Sequence, residues 1–315
     1  MFRIGIISNA NSRANRLGKG DCQRFSRTLG TRGAVTATAS LAELEPTIER
    51  YRQAGIEILG IHGGDGTIHH TLTAAIRVYG ARPLPRLAIL RGGTMNTVAS
   101  GLDIRGPRGA AHELLTHLVR CVDAGIAPRT TRRRVVKIGE RYGLIFGNGV
   151  MYQFAKAYYD QGRPHRWSGA QLLSRAVLSA LIGGPLARLL LRPFTARVTI
   201  DGAPWQHDRF LTIAVASVPE AGYGFTPLPQ AVDGLDRLAV TGIHTSPRGL
   251  VAELPRMYLR TRLHPARCTT TTARHLTITS DAPLGYTIDG DLYLDGPRME
   301  ISAGPEVQFV LPSRT

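Results

Sequence analysis

The sequence predicts an α/β domain over residues 1–124 followed by a strand-rich, antiparallel domain over 125–315. Three observations lead to this. Apolar strand-like runs alternate with amphipathic helical segments as far as Val122, the pattern of a parallel sheet covered by helices. Two strands of this half break into glycine-bearing turns, Gly63-Gly64-Asp65-Gly66-Thr67 and Gly92-Gly93-Thr94-Met95-Asn96. Beyond Gly125 the β-forming runs follow one another between Gly, Pro and Asp turns, as sequential antiparallel strands do.

In chain order, Arg3 to Ser8 reads as a first apolar strand, and Asn9, Ser12 and Arg13 lie in the polar loop after it. Loops that follow parallel strands sit at the carboxyl edge of the sheet, where open α/β folds bind ligands, so these three are candidate nucleotide contacts; a solvated turn is the plainer alternative. A helix from about Asp21 to Leu29, a strand at Ala34 to Ala39 and a helix opened by Ser40 with Glu43 three residues on lead to the central strand. There Ile56, Ile58, Leu59 and Ile61 are apolar on both faces, as a doubly covered strand requires. Gly63, Gly64 and Gly66 then leave backbone amides bare, and Thr67 is expected to start the next helix. Bare amides at a helix start favour an anion such as phosphate. Asp65 is the odd member. A carboxylate in a phosphate cradle repels its ligand unless it holds a metal, takes a proton or bonds a sugar hydroxyl. A simple strand-to-helix turn remains the alternative.

After a short strand at Leu87 to Leu90, Gly93, Thr94 and Asn96 belong to the second glycine turn, expected at the same sheet edge. His69 and His70 face different ways on a helix and are assigned to surface or packing. A helix over 107–120 closes the first half. Strands are then expected at Arg134–Ile138, Tyr142–Asn148, Ala196–Ile200, Phe210–Ser217, Arg237–Ile243, His275–Thr279, Tyr286–Asp289 and Val307–Leu311. One helical insertion, Ser168 to about Leu191, breaks at Gly183-Gly184-Pro185 and carries an apolar face including Leu172, Ala176, Ala180 and Leu181. It reads as a core-packing helix, with a lid or lipid-facing wall as the alternative. Another helix is expected from Pro247 to Thr261.

Composition narrows the classes. With 43% hydrophobic residues in 315, the chain is globular and long enough for two cores. Cys22, Cys121 and Cys268 are odd in number and widely spaced, which suggests neither disulfides nor zinc and points to a reducing, cytoplasmic setting. No signal peptide is expected at the N-terminus and no transmembrane helix anywhere. The net charge of +16 allows nucleic acid, an anionic membrane or a phosphorylated substrate. The densest run, Arg129, Arg132, Arg133 and Arg134, lacks interleaved aromatics, so nucleic acid is not expected as a partner. Attraction to an anionic membrane surface needs no motif.

Taken together, SNANSR at 8–13, GGDGT at 63–67, GGTMN at 92–96, VDAG at 122–125, FGNG at 146–149, the segment 222–236 and IDGD at 288–291 resemble the diacylglycerol kinase catalytic-domain family, which includes soluble bacterial lipid kinases and the sphingosine kinases. The resemblance runs nearly end to end. It implies a nucleotide-binding first domain, a β-sandwich-like second domain whose last strand is free to return toward the first, and an active site in the interdomain cleft. It further implies an ATP- and Mg2+-dependent lipid kinase acting on a diacylglycerol-like lipid at the membrane surface; a kinase of a soluble hydroxyl compound and a nucleotide- or lipid-binding pseudokinase are the alternatives, and a homodimer is compatible. By the same resemblance Gly63, Gly64 and Gly66 wrap the ATP phosphates and Thr67 caps the following helix. Asp65 or Asp291 serves as the base, Asp123 supports the site, and Asp289 lies near the nucleotide. Asp233 with the carbonyl of Leu235 matches a structural magnesium site. Ala10, His70, Arg91, Gly92, Thr97 and Asp291 depart from the family pattern, Asp291 standing where the family has glutamate and so reaching about 1.5 Å less.

Overall fold

The computed structural model describes residues 3–12, 21–104, 110–162, 165–234 and 236–312. The chain divides into two units, one of residues 1–133 with 306–315 and one of residues 134–305.

The first unit alternates strands and helices: β1 (Ile4–Asn9), α1 (Asp21–Leu29), β2 (Gly33–Thr38), α2 (Leu44–Gln53), β3 (Ile58–Gly63), α3 (Asp65–Tyr79), β4 (Arg86–Arg91), α4 (Thr97–Gly101), α5 (Ala110–Asp123) and the start of β5 (Thr130–Ile138). The strands lie in the order β4-β3-β1-β2, all parallel. Every residue of β3 is buried, so its side chains must be apolar or small on both faces. Ile4, Ile6, Ile58, Ala88 and Leu90 pack with Phe25 and Leu29 of α1 and Leu114, Leu115 and Leu118 of α5 in one core. Because β1 lies between β2 and β3, the chain crosses back over β1 on the way to β3. The carboxyl ends of β1 and β3 therefore form a switch point, the place where such sheets bind ligands.

The second unit continues through β6 (Arg141–Gly143), β7 (Ile145–Asn148), α6 (Val150–Tyr159), α7 (Arg166–Ile182), α8 (Pro185–Leu190), β8 (Phe194–Thr195), β9 (Arg197–Ile200), β10 (Ala203–Pro204), β11 (Arg209–Phe210), β12 (Thr212–Ala216), β13 (Leu238–Ile243), α9 (Pro247–Tyr258), β14 (Cys268–Ala273), β15 (His275–Thr279), β16 (Gly285–Ile288), β17 (Asp291–Leu294) and β18 (Arg298–Val310). Six strands form an antiparallel sheet, β14-β13-β12-β7-β16-β17. A second layer is built from β10, β9, β15 and the first part of β18. Phe146, Ile213, Val215 and Tyr286 from one layer pack with Val198, Leu276, Ile278 and Ile301 from the other, the interdigitation of a β-sandwich. A separate core collects Tyr158, Leu172, Ala176, Ala180, Leu190, Leu250 and Met257 from α6 to α9. The last residues of β18 belong to the first unit, where Phe309 pairs with Leu87 in parallel.

Several elements differ from their sequence expectations. The central strand runs two residues further, through Gly63, because Gly63 pairs with Arg91 of β4. The expected strand over 142–148 is interrupted at Leu144, whose amide turns to the carboxylate of Asp289. Residues 150–159, given no element in the sequence reading, form α6, which starts at Gly149 with φ 55°. The helix expected over 107–120 runs on to Asp123; its described part is Ala110–Asp123, and residues 107–109 lie outside the described residues.

Candidate functional site

In the first unit the loops after β1, β3 and β4 emerge at one sheet edge, since Ser8 pairs with His62 and Gly63 with Arg91 across the three strands. The connection between β3 and α3 is a single residue, Gly64. Gly64 caps α3 without any side-chain acceptor, so the amide end of this helix is left to other partners. The expectation that Thr67 starts and caps the helix is corrected: Asp65 is its first residue, and Thr67, one turn in, receives the Asn9 amide at 2.8 Å (Nδ2 to Oγ1). Asn9 also accepts the amide of Asn11 at 2.8 Å and, through its carbonyl, that of buried Ser12 at 3.0 Å. Arg13 lies outside the described residues.

The two glycine turns lie against each other. A Cβ on Gly93 would stand 2.3 Å from Cα of Gly64, and one on Gly63 would strike Thr67 Oγ1 at 2.4 Å; neither approach tolerates a side chain. The Gly92 amide donates to the Gly63 carbonyl at 2.9 Å. Asn96 adopts a left-handed φ of 52° and clasps Gly93 from both sides, accepting its N–H at 3.1 Å and donating to its C=O at 3.0 Å. Thr94 is half-buried in the same turn.

Asp65 resolves the puzzle its sequence posed. Its Oδ2 accepts the Thr97 amide and its Oδ1 the Val98 amide, each at 3.0 Å. The carboxylate thus caps α4 from a neighbouring helix, doing from 32 residues away what an N-cap side chain does locally. It faces the amides of α4 rather than standing as a bare charge among those of α3.

Sequence reasoning missed His62. It is buried before the first glycine, 2.8 Å from Ser8 Oγ through Nδ1 and 3.7 Å from Asp21 through Nε2. Its ring packs edge-on against Phe25, and the position a Gly92 Cβ would take is 2.8 Å from Nε2. Burial pushes the imidazole down in pKa, against the opposing charge of Asp21. A lone polar residue in an otherwise apolar strand was the available signal.

Asp123 does not lie with these loops. It ends α5 and forms a two-point ion pair with Arg32, the residue before β2. The pair therefore sits at the edge where strands begin, opposite the glycine turns. A supporting part for Asp123 in the glycine-loop site is corrected to a surface link between α5 and the α1–β2 connection.

In the second unit, Asp289 and Gly290 make the two-residue turn of the β16–β17 hairpin, with φ of 49° and 95°, the backbone for which Asp-Gly is suited. The Asp289 carboxylate is buried and accepts the amides of Leu144 at 3.1 Å and Ile145 at 2.8 Å, while its own amide donates to the Ile145 carbonyl at 2.9 Å. These bonds tie the hairpin to the β6–β7 connection, so Asp289 anchors the turn. Asp291 is the first residue of β17, paired across from Ile288 and half-buried. Burial and the nearby Asp291 carboxylate push the Tyr293 phenol up to about 12. Asp233 is exposed in a turn and Leu235 lies outside the described residues.

Comparison with known proteins agrees with both units. Residues 3–127 match the model of the diacylglycerol kinase catalytic domain, and residues 182–311 that of the YegS C-terminal NAD kinase beta sandwich-like domain. Residues 3–127 thus belong to the diacylglycerol kinase catalytic-domain family, and the second unit carries the β-sandwich-like domain found with it. Its fold is that of three solved proteins from Bacillus anthracis str. Sterne. The first, named for a presumed diacylglycerol kinase activity, is 14% identical with a TM-score of 0.72, covering 98% of this chain and 95% of that one. A diacylglycerol kinase is also 14% identical, with a TM-score of 0.65 and coverage of 98% and 96%. The third, named like the first, is 13% identical with a TM-score of 0.70 and coverage of 99% of each chain. At these identities the likeness is one of fold. No curated protein matches the sequence. Family membership makes the protein a kinase of lipid or small-molecule type. Among the described residues no helix is long and apolar enough to cross a membrane.

Proposed function

We propose that this protein transfers the γ-phosphoryl group of ATP to the hydroxyl of a diacylglycerol-like lipid, working at an anionic membrane surface. The observation that supports this most is the paired glycine turns at the switch point. They leave the N-terminal amides of a 15-residue helix without a side-chain cap, while the one carboxylate among them is engaged by α4. That arrangement fits a polyphosphate. Gly63, Gly64, Gly66 and Thr67 would hold the phosphates, with Asn9 fixing Thr67 and Asn96 fixing Gly93.

Bound ATP supplies the transferred phosphoryl group and its magnesium counter-charge. The chain's own task is to position groups and to take the acceptor's proton. We assign that proton to Asp291, because Asp65 and Asp289 each engage backbone amides through both their oxygens. As the acceptor oxygen bonds to phosphorus, its proton passes to Asp291 and ADP departs. Incubation with labelled ATP, magnesium and a panel of detergent-dispersed lipids tests the reading. Transfer to a lipid is expected; nucleotide binding with no transfer to any acceptor would overturn it in favour of a pseudokinase. Transfer only to soluble alcohols would replace the lipid by a soluble acceptor.

A further inference from the structure

We infer that the outer face of the α7–α8 helical hairpin in the second unit is a membrane-docking surface that lies flat in an anionic bilayer interface. Its relevance to catalysis rests on the lipid-kinase reading, though the binding itself does not. One face of α7 is fully accounted for: Leu172, Ala176 and Ala180 lie in the helical core. The opposite face carries large apolar side chains too, with exposed Gln171 and Ser174 among them. Trp167 is 77% exposed, Leu178 63%, Leu181 49% and Ile182 80%, and Leu189 on α8 is 63% exposed. At 100° per residue, positions 167, 178, 181 and 182 fall within about 100° of arc on one side of the helix. Five large side chains in water on two adjoining helices form a patch of the kind that marks an interaction surface.

The hairpin is firmly built. The Gly184 amide donates to the Ser179 carbonyl at 2.7 Å, the Ala187 amide to Ser179 Oγ at 2.9 Å, and Arg188 Nε to the Gly183 carbonyl at 3.1 Å. From α9, Arg248 Nε donates to the Leu181 carbonyl at 3.1 Å. The apolar tip is therefore fixed by its own hydrogen bonds.

Charge decides the occupant. Between Asp160 and Asp201 the sequence holds six arginines and neither Asp nor Glu. Arg175, Arg188 and Arg192 are exposed beside the apolar stripe. A second copy would set these arginines against one another with no carboxylate on the hairpin to pair them. An anionic lipid surface satisfies both features, its phosphates taking the guanidinium groups and its upper acyl region the tryptophan and leucines. Trp and Arg also favour this interfacial depth. A 17-residue helix presents about 25 Å of such a face in the membrane plane.

The protein holds two tryptophans, Trp167 and the half-buried Trp205, so the full-length Trp205→Phe variant carries a single reporter on the proposed surface. With phosphatidylglycerol–phosphatidylcholine vesicles its emission should shift to the blue and be quenched by bromine-labelled acyl chains. Phosphatidylcholine alone should give a much smaller effect. Leu178→Ser with Ile182→Ser, both at exposed positions, should lower vesicle partitioning on the order of tenfold to a hundredfold. Arg175→Gln with Arg188→Gln should weaken binding severalfold and flatten its salt dependence. Sedimentation with vesicles while Trp167 emission is unchanged would overturn the inference, as would full partitioning by the Leu178, Ile182 double variant. A blue shift that grows with protein concentration and needs no vesicles would replace the bilayer by a second copy. Lipid phosphorylation in detergent separates the two claims. Activity there with Trp167 remaining in water sinks the docking surface alone, and acyl-chain quenching without any lipid kinase activity sinks the kinase reading alone.

Discussion

Two Asp-Gly pairs, Asp65-Gly66 in the first unit and Asp289-Gly290 in the second, look alike in the sequence and prove alike in structure. Each aspartate accepts two backbone amides distant in the chain, Asp65 from the start of α4 and Asp289 from the β6–β7 connection. Asp291, two residues after Asp289, opens a strand in a half-buried position beside Tyr293. The comparison teaches that signature carboxylates can be conformational parts. They hold loops in shape, and the proton-accepting part proposed above goes to Asp291, whose engagement is different.

Substitutions should separate these parts. The largest effect is expected from Asp291→Asn, which should lower the transfer rate by about 10²–10⁴-fold while the melting temperature stays near that of the parent protein. Asp289→Ala leaves the Leu144 and Ile145 amides without their buried acceptor, and chemical denaturation should show a loss of about 2–4 kcal/mol. A smaller loss, about 1–2 kcal/mol, should follow Asp65→Ala, in the range of a deleted helix cap, with hydrogen exchange accelerated at Thr97 and Val98. Should Asp65→Ala leave both stability and exchange unchanged, its capping part would be wrong.

The smallest effect concerns pH. Burial holds the His62 imidazole below its usual pKa, and His244 is lowered by burial and then by His207 stacked on it at 3.6 Å. Above about pH 6.5 both are neutral folded and unfolded, so their full contribution is present. Below that pH the unfolded chain binds protons the folded one resists, and stability falls until the lowered folded pKa values are passed. Each group contributes a slope of at most about 1.4 kcal/mol per pH unit. His62→Gln should flatten the acid limb of a stability–pH profile; an unchanged limb would remove His62 from the account.

The sequence was most legible where periodicity and packing agree. The end of the first helix at Leu29 and both ends of the strand His275–Thr279 were read as observed. The glycine turns were placed because bare glycines follow apolar strands and precede helical runs; in the structure they also let the turns approach so closely that a Cβ on Gly93 would stand 2.3 Å from Cα of Gly64. Other features were hidden for physical reasons. Cys268–Ala273 is a strand of four threonines between its ends, too polar to register as an apolar run. The capping of α4 by Asp65 joins residues 32 apart and has no local signature. Asp123 matched a motif by spacing, but only the strand order places it at the far edge. Helix α7 carries large apolar residues on two opposite sides, so its pattern could mark a helix without telling which side is buried; Leu181, assigned to the core-facing set, is half-exposed instead.

The central claim is that Asp65 shapes the glycine turns while Asp291 takes the acceptor's proton. The rate of phosphoryl transfer from labelled ATP per folded molecule, measured for Asp65→Asn and Asp291→Asn against the parent protein, tests it directly. The account predicts that Asp291→Asn, fully folded, loses at least about 100-fold, whereas Asp65→Asn, which keeps one of its two acceptor oxygens, retains the greater part of the rate. Near-parental transfer by Asp291→Asn together with abolished transfer by a fully folded Asp65→Asn would contradict it.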